Sequence, residues 1–183
     1  MVLQRTFVTV EEFDRFVDLP ENADKLFEYI GQEAVEVPSA PYTSAVASQI
    51  SFHIGKLVPS QQIGHITGEG AGYVVNGERY VPSLAYTSRL RLNALPRTIG
   101  YVPLAPDFAV EVLSPFDSEG HLLRKIAGYL AAGTLLWIVY PETKTVEIYA
   151  PGEPMRWVSI DGELDGGDVL PGFKLAVKEI FPD

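Results

Sequence analysis

The stretch that most constrains the fold is the apolar run "APDFAVEVLSPFD" at residues 105–117, which is followed by a second apolar run, "LLWIVYP", at 135–141. Such runs are typical of strands buried on both faces. The first predicts a strand at about 107–114, and the segment between the runs predicts a helix from an Asp117 cap to about Ala132. Two strands joined in this way are predicted to lie parallel in one sheet, with a right-handed crossover.

One carboxylate, that of Glu111, lies in the middle of the first apolar run. A buried ionised carboxylate costs several kcal/mol unless it is paired or binds a metal. Lys125 borders the apolar face of the following helix, and its long side chain can reach back over the end of the strand. The pair is either an ion pair that merely neutralises a buried charge or a site in which Glu111 binds a divalent metal. Hard cations such as Mg²⁺ prefer oxygen ligands and make water nucleophilic near a phosphodiester.

The rest of the chain predicts short strands and helices around this unit. The residues Thr9 and Glu12 form a capping box that begins a helix ending near Val17. The other predicted elements are a hairpin or one bent strand at 25–38, a helix at 43–58, strands within 63–83 that turn at Asn76–Gly77, a loop at 87–104, a strand at 144–151 and a last helical turn at 176–181. We therefore expect one domain over residues 1–183, of the α+β or α/β class, with a mixed sheet flanked by helices.

Composition limits the classes of partner. The net charge of −10 argues against general coating of nucleic acid, although a local basic cleft remains compatible with it. No stretch approaches the roughly 18 consecutive apolar residues of a membrane span, and the N-terminal sequence lacks the pattern of a secretory signal. The absence of cysteine excludes disulfides and is compatible with a cytoplasmic location.

Four segments carry a resemblance to a known family. They are "LFEYIGQEAVEVPS", "GHITGEGAGYVVNGERYVPS", "PDFAVEVLSPFDSEGHLLRKIAGYLAAGTLLWIVYPETKTVEIYAPG" and "LPGFKL". Together they resemble the Uma-two-type restriction endonucleases, a large bacterial group long described as a domain of unknown function, over about residues 10–181. The resemblance implies the PD-(D/E)XK nuclease-like superfamily. It also implies a core of a mixed four-stranded sheet flanked by helices, with a metal-dependent phosphodiesterase site at one edge.

The resemblance also implies roles for individual residues. Glu111 matches the acidic member of the (D/E)XK element, and the backbone carbonyl of Val112 would be a further ligand of Mg²⁺ or Mn²⁺. Leu113 stands where the lysine is usual, and Lys125 on the next helix matches the displaced lysine. Glu28 matches an early glutamate of the family. The expected catalytic set is therefore Glu28, Glu111 and Lys125.

One position departs from the family pattern. The Pro-Asp that usually follows the hairpin reads Pro82-Ser83 here, so a neutral serine stands where a carboxylate ligand is expected. Losing an anionic ligand weakens Mg²⁺ binding, because affinity follows ligand charge. Asp107 also follows a proline, but four strand residues separate it from Glu111 by ~13 Å, too far to share one ion.

Two main hypotheses follow, with a third kept open. The protein is a Mg²⁺-dependent DNA endonuclease with a degraded metal site, or a catalytically inactive nuclease-fold module that binds or interacts. The third is an enzyme that uses the same cleft on RNA or a small molecule. DNA is the expected partner of an active enzyme, and a homodimer would present two sites to a duplex. The candidate nucleic-acid contacts are Arg89, Arg91, Arg97 and Arg124.

Overall fold

The computed structural model describes residues 4–7, 9–37, 40–61, 63–97 and 100–182. Within these ranges the α-helices are α1 (Val10–Val17), α2 (Pro41–Gln61) and α3 (Glu119–Ala131). The strands are β1 (Gln4–Thr6), β2 (Phe27–Ile30), β3 (Glu33–Glu36), β4 (Gly64–Gly68), β5 (Tyr73–Val75), β6 (Glu78–Tyr80), β7 (Leu84–Ser88), β8 (Phe108–Val112), β9 (Leu135–Tyr140), β10 (Thr145–Tyr149), β11 (Arg156–Val158), β12 (Glu163–Asp165) and β13 (Lys174–Ala176). Single 3₁₀ turns lie at Pro20–Asn22 and Val177–Glu179.

The largest sheet has six strands in the order β11-β10-β9-β8-β7-β4. β8 and β9 are parallel neighbours joined through α3, whereas the other pairs in the sheet are antiparallel. The predicted strand–helix–strand unit therefore forms the middle of a mixed sheet flanked by helices, and the predicted fold class is confirmed.

A second sheet of five strands, in the order β1-β3-β2-β6-β5, covers the side of the molecule that carries α3. Its β5–β6 hairpin turns at Asn76 and Gly77, whose φ angles of 48° and 85° are the positive values that an Asn-Gly turn favours. β2 and β3 form a hairpin, which was one of the two alternatives predicted for this segment. β12 and β13 form a separate two-stranded sheet.

The two faces of the central sheet bury different neighbours, because successive strand residues point to opposite faces. Phe108 and Val110 of β8 pack with α2 in a core that also contains Trp137. Ala109 packs on the other face with Tyr129 of α3 and with residues of β5 and β6. Glu111 continues the series of Ala109, so its carboxylate points towards α3 and the second sheet.

The helices agree with the sequence pattern except at the start of α3, but four strands, β1, β7, β11 and β12, do not follow from it. The N-cap of α3 is Ser118 and not the predicted Asp117, whose carboxylate accepts the N–H of Ser114 instead. The capping box of Thr9 and Glu12 begins α1 as predicted. The predicted loop at 87–104 is wrong at its start, because Thr87 and Ser88 belong to β7. β7 lies between two other strands and is almost entirely buried, but it contains the polar residues Thr87 and Ser88, so it shows neither a continuous apolar run nor a regular alternation. The edge strand β11 was also not predicted. None of the described helices is long and apolar enough to cross a membrane.

Candidate functional site

Glu111 lies near the end of β8 and is 6% exposed. Its Oε1 atom accepts a hydrogen bond from the Tyr129 hydroxyl at 2.9 Å and lies 2.8 Å from Lys125 Nζ. Both partners come from α3, where they are four residues apart and therefore lie on one helical face. The buried carboxylate of Glu111 is thus held by two polar groups of one helix.

Lys125 joins Glu111 to a second carboxylate. Its Nζ atom also donates a hydrogen bond of 2.7 Å to Glu28 Oε1, on β2. The same Oε1 atom of Glu28 accepts the backbone N–H of Val81 at 2.6 Å. Glu28 and Lys125 are 7% and 8% exposed. The structure therefore brings together the three residues of the expected catalytic set, with one carboxylate from each of the two larger sheets.

The electrostatics of this group follow from burial and mutual attraction. Burial raises the pKa of Glu111 to about 7, with Lys125 acting to lower it and Glu28 to raise it. Burial alone would lower the pKa of Lys125, but Glu111 and Glu28 together raise it above its usual value. Burial, and then Glu111, raise the pKa of Tyr129 well above normal. At neutral pH the lysine is therefore charged and the tyrosine is a hydrogen-bond donor.

Ser83 lies directly beside Glu111. In the antiparallel β7–β8 pair Leu84 is opposite Val110, so the preceding residue, Ser83, extends the register to face Glu111. Its Oγ atom accepts the backbone N–H of Val112 at 3.0 Å. The family resemblance implies a second carboxylate ligand at position 83, but Ser83 has a neutral hydroxyl there.

The oxygen donors of this site fit a weakly held Mg²⁺ or Mn²⁺ ion. Among the described residues, the Oε2 atoms of Glu28 and Glu111 have no hydrogen-bond or ion-pair partner, and both residues and Val112 line the same cleft. Mg²⁺ commonly binds through one or two carboxylates and completes its shell with waters and substrate phosphates. In the part of the chain that the structure describes, no three acidic, histidine or cysteine side chains converge as a metal site. The protein alone therefore offers an incomplete set of ligands.

The cleft itself has a volume of about 510 Å³. Ser83, Glu111 and Lys125 lie in its wall, and a smaller adjoining cavity of about 170 Å³ shares Glu28 and Glu111 with it. Its wall is rich in acidic side chains, which are Asp24, Glu28, Glu36, Glu69, Glu111 and Asp117, against the basic Lys25 and Lys125. A cleft of this charge favours cations over phosphates.

The arginines that were candidate nucleic-acid contacts do not line this cleft. Arg91 donates to Asp107 at 3.4 Å and to the Ala132 carbonyl at 3.1 Å. Asp107 precedes β8 and Ala132 follows α3, so these contacts lie far along both elements from Glu111 and Lys125. Arg89 follows the far end of β7, and Arg97 is exposed in the loop beyond it. Asp107 also accepts the Ser88 N–H at 2.7 Å, in keeping with its exclusion from the metal site.

Arg124 is nearer to the site but faces a different neighbour. It is exposed on α3, and its guanidinium lies against the β2–β3 turn, since a Cβ atom at Gly31 would be 2.9 Å from its Cζ atom. Its backbone carbonyl oxygen lies 3.4 Å from the Tyr80 hydroxyl oxygen. The guanidinium therefore lies beside the hairpin that carries Glu28.

Sequence reasoning missed the aromatic support of the site. Tyr129 bonds Glu111, and its ring packs edge-on against that of Tyr80, with centroids 5.1 Å apart. Tyr80 in turn donates to Glu78. Gly128 allows the Tyr80 ring to pack closely against α3, because a Cβ atom at position 128 would be 2.5 Å from the Tyr80 hydroxyl. The four-residue spacing from Lys125 was the signal that could have identified Tyr129.

His121 extends the same helical face along the smaller cavity. It precedes Lys125 by four residues and lines the smaller cavity. Its Nε2 atom lies 2.9 Å from Glu33 Oε2 on β3. α3 therefore presents an imidazole, an ammonium and a phenol in succession along one face.

Comparisons with known proteins agree with this fold. The crystal structure of a "putative nuclease belonging to DUF820" from Anabaena variabilis ATCC 29413 superposes with a TM-score of 0.79. The two sequences are 25% identical, and the match covers 96% of this chain and 98% of that one. No curated protein matches the chain. The family Uma2, described as "Putative restriction endonuclease", matches residues 10–178. The chain therefore belongs to the Uma2 family and has a restriction-endonuclease-like, nuclease fold.

Proposed function

We propose that the protein hydrolyses phosphodiester bonds of DNA in the cleft between Glu28, Glu111 and Lys125, with Mg²⁺ or Mn²⁺ as cofactor. The observation that supports this proposal most is the buried Glu28–Lys125–Glu111 group at the wall of an acidic cleft. A purely structural ion pair needs one carboxylate for one lysine, whereas this group has two. Membership of the Uma2 family and the similarity to the DUF820 crystal structure support the nuclease class.

The chain's own residues would act in distinct ways. Glu28, Glu111 and the Val112 carbonyl would hold the cation, and the Lys125 ammonium would orient water or stabilise charge on the scissile phosphate. Tyr129 fixes the carboxylate of Glu111 by hydrogen bonding. A cation bound in this cleft would supply positive charge near the phosphate and activate water as the nucleophile.

The test compares wild type with Glu111→Gln on plasmid DNA and on single-stranded DNA, each in Mg²⁺ or Mn²⁺. We expect the variant to cut about 10²-fold more slowly, because it loses an anionic ligand while keeping the size of the side chain. Glu153→Gln is the matched control, since Glu153 is exposed and does not line the cleft. Equal cutting by wild type and Glu111→Gln, or no cutting by either, would reject the proposal.

Ser83 favours a second candidate, a nuclease-fold protein that has lost catalysis and serves as a binding module. The hydroxyl beside Glu111 adds no negative charge, and Lys125 already neutralises part of the charge of the carboxylates. Both features weaken cation binding. On this alternative the wild type binds Mn²⁺ poorly and does not cut DNA under any metal condition.

Ser83→Asp tests the importance of this position. We expect the variant to bind Mn²⁺ about tenfold more tightly in isothermal titration calorimetry, because it adds an anionic ligand next to Glu111. Ser159→Asp adds the same charge outside the cleft and should leave the affinity unchanged. An affinity equal to that of wild type would show that Ser83 is not at a ligand position. Tight binding by wild type would contradict the inactive alternative.

A further inference from the structure

A second groove adjoins the carboxylate cleft and differs from it in chemistry. Its volume is about 530 Å³, and its wall is mostly apolar and aromatic. It is lined by residues from the start of α2, the loop after β8 and the loop after β9, including Tyr42, Leu113, Phe116, Tyr140 and Pro141. This volume lies within the range of small-ligand pockets.

The groove is continuous with the proposed catalytic cleft. Leu113 and Phe116 also line the small cavity that contains Glu111, and Thr43 and Ser114 also line the larger cleft. The continuity is built into the chain, because Leu113 follows Val112 directly at the end of β8. A polymeric ligand with one monomer bound at the carboxylates would therefore place a neighbouring monomer in the groove.

Two aromatic side chains of this groove are left open to solvent. Phe116 is 75% exposed and Tyr42 is 44% exposed. Aromatic platforms of this kind bind the faces of nucleobases in single-stranded nucleic acid. A duplex shields these faces by its own stacking, so a base must leave the stack to reach such a platform.

We propose that this groove binds an unstacked nucleobase of single-stranded DNA whose neighbouring phosphate lies at the carboxylate cleft. This inference rests on the proposed function and specifies its substrate as single-stranded or locally unpaired DNA. The acidic cleft wall offers little attraction to a phosphate backbone, so stacking has to supply much of the binding energy. The hydroxyl protons of Thr43 and Ser114 are donated to the Ala40 carbonyl and to Asp117, so the two oxygens can still accept a hydrogen bond from the edge of a base.

A second copy of the chain is a less suitable occupant. Stable protein interfaces bury about 800 Å² on each partner and involve roughly 20 residues a side. Eleven residues line this groove, and five of them also line the carboxylate cavities. Its small size and its continuity with the cleft favour a small flat ligand attached to a chain.

The test uses oligonucleotides with 2-aminopurine at successive positions, titrated in EDTA so that metal-dependent cleavage does not occur. We expect the single strand to bind about tenfold more tightly than the matching duplex, with the fluorescence of one 2-aminopurine position quenched by stacking. Phe116→Ala should weaken single-strand binding about tenfold and abolish that quenching. Phe52→Ala is the matched control, because Phe52 is 60% exposed and lies on α2 outside the groove.

Three outcomes would overturn the inference. These are equal binding by Phe116→Ala and wild type, a preference of wild type for the duplex, and a wild-type dimer in sedimentation that Phe116→Ala dissociates. The readout separates the inference from the nuclease proposal. Quenching without cleavage in Mg²⁺ supports the base site and rejects the nuclease proposal, whereas cleavage without quenching supports the nuclease proposal and rejects the base site.

Discussion

Lys125→Met is expected to destabilise the protein by about 3–5 kcal/mol at pH 8, because it removes the cation that two buried carboxylates share. Glu28 and Glu111 are each more than nine-tenths buried and each lie within 2.8 Å of Nζ. Without the lysine, at least one of them must be protonated or drawn into water. Chemical denaturation at pH 8 and pH 5 measures the effect, which should be smaller at pH 5, where protonation removes the unpaired charge.

Two comparison variants separate charge from packing. Lys56→Met changes an exposed lysine on α2 and should have little effect. The double variant Lys125→Met/Glu111→Gln removes one of the two carboxylates as well, so it should recover part of the lost stability. If Lys125→Met is equally destabilised at both pH values and the double variant recovers nothing, the loss is one of packing rather than of charge.

Glu111→Gln is expected to change how stability depends on pH in metal-free buffer. Burial raises the folded-state pKa of Glu111 from 4.5 to about 7, so the contribution of this group to stability is complete below about pH 4.5. That contribution is lost as the pH rises to about 7, and the difference corresponds to about 3 kcal/mol for this fully buried group. Relative to wild type, Glu111→Gln should gain about this amount between pH 4.5 and pH 8.

The measurement is the free energy of unfolding in EDTA across this range of pH. Glu153→Gln serves again as the exposed control, and its free energy of unfolding should depend on pH in the same way as that of wild type. A difference between Glu111→Gln and wild type that stays constant with pH would show that Glu111 does not titrate in this range. The expected result would mean that Glu111 lowers the stability of wild type near neutral pH. Residues of functional sites often lower stability in this way.

The sequence predicted the parts of the site that depend on local pattern. The apolar runs of β8 and β9 and the helix between them were identified directly, since burial on both faces leaves a continuous apolar signal. The contact of Lys125 with Glu111 followed from the position of Lys125 on the helix and the length of its stem. Both are properties of one strand–helix–strand unit.

The parts that depend on distant segments could not be predicted from pattern. Glu28 reaches Lys125 because the second sheet packs over α3, and only the family resemblance singled out this residue beforehand. β7 was missed because Thr87 and Ser88 interrupt its apolar run, and only its pairing with β4 and β8 shows it to be a strand. Arg91 resembled a nucleic-acid contact in the sequence, but its pairing with Asp107 places it at the other end of β8.

The short segment from Val81 to Ser83 connects the two carboxylates through the backbone. The N–H of Val81 holds Glu28, and two residues later the hydroxyl of Ser83 holds the N–H of Val112, next to Glu111. This three-residue segment thus links Glu28 and Glu111, which belong to different sheets, and helps to set the distance between them. A change at position 83 therefore alters the alignment of the pair as well as its charge, and the evolutionary loss or recovery of an aspartate there would have to preserve that alignment.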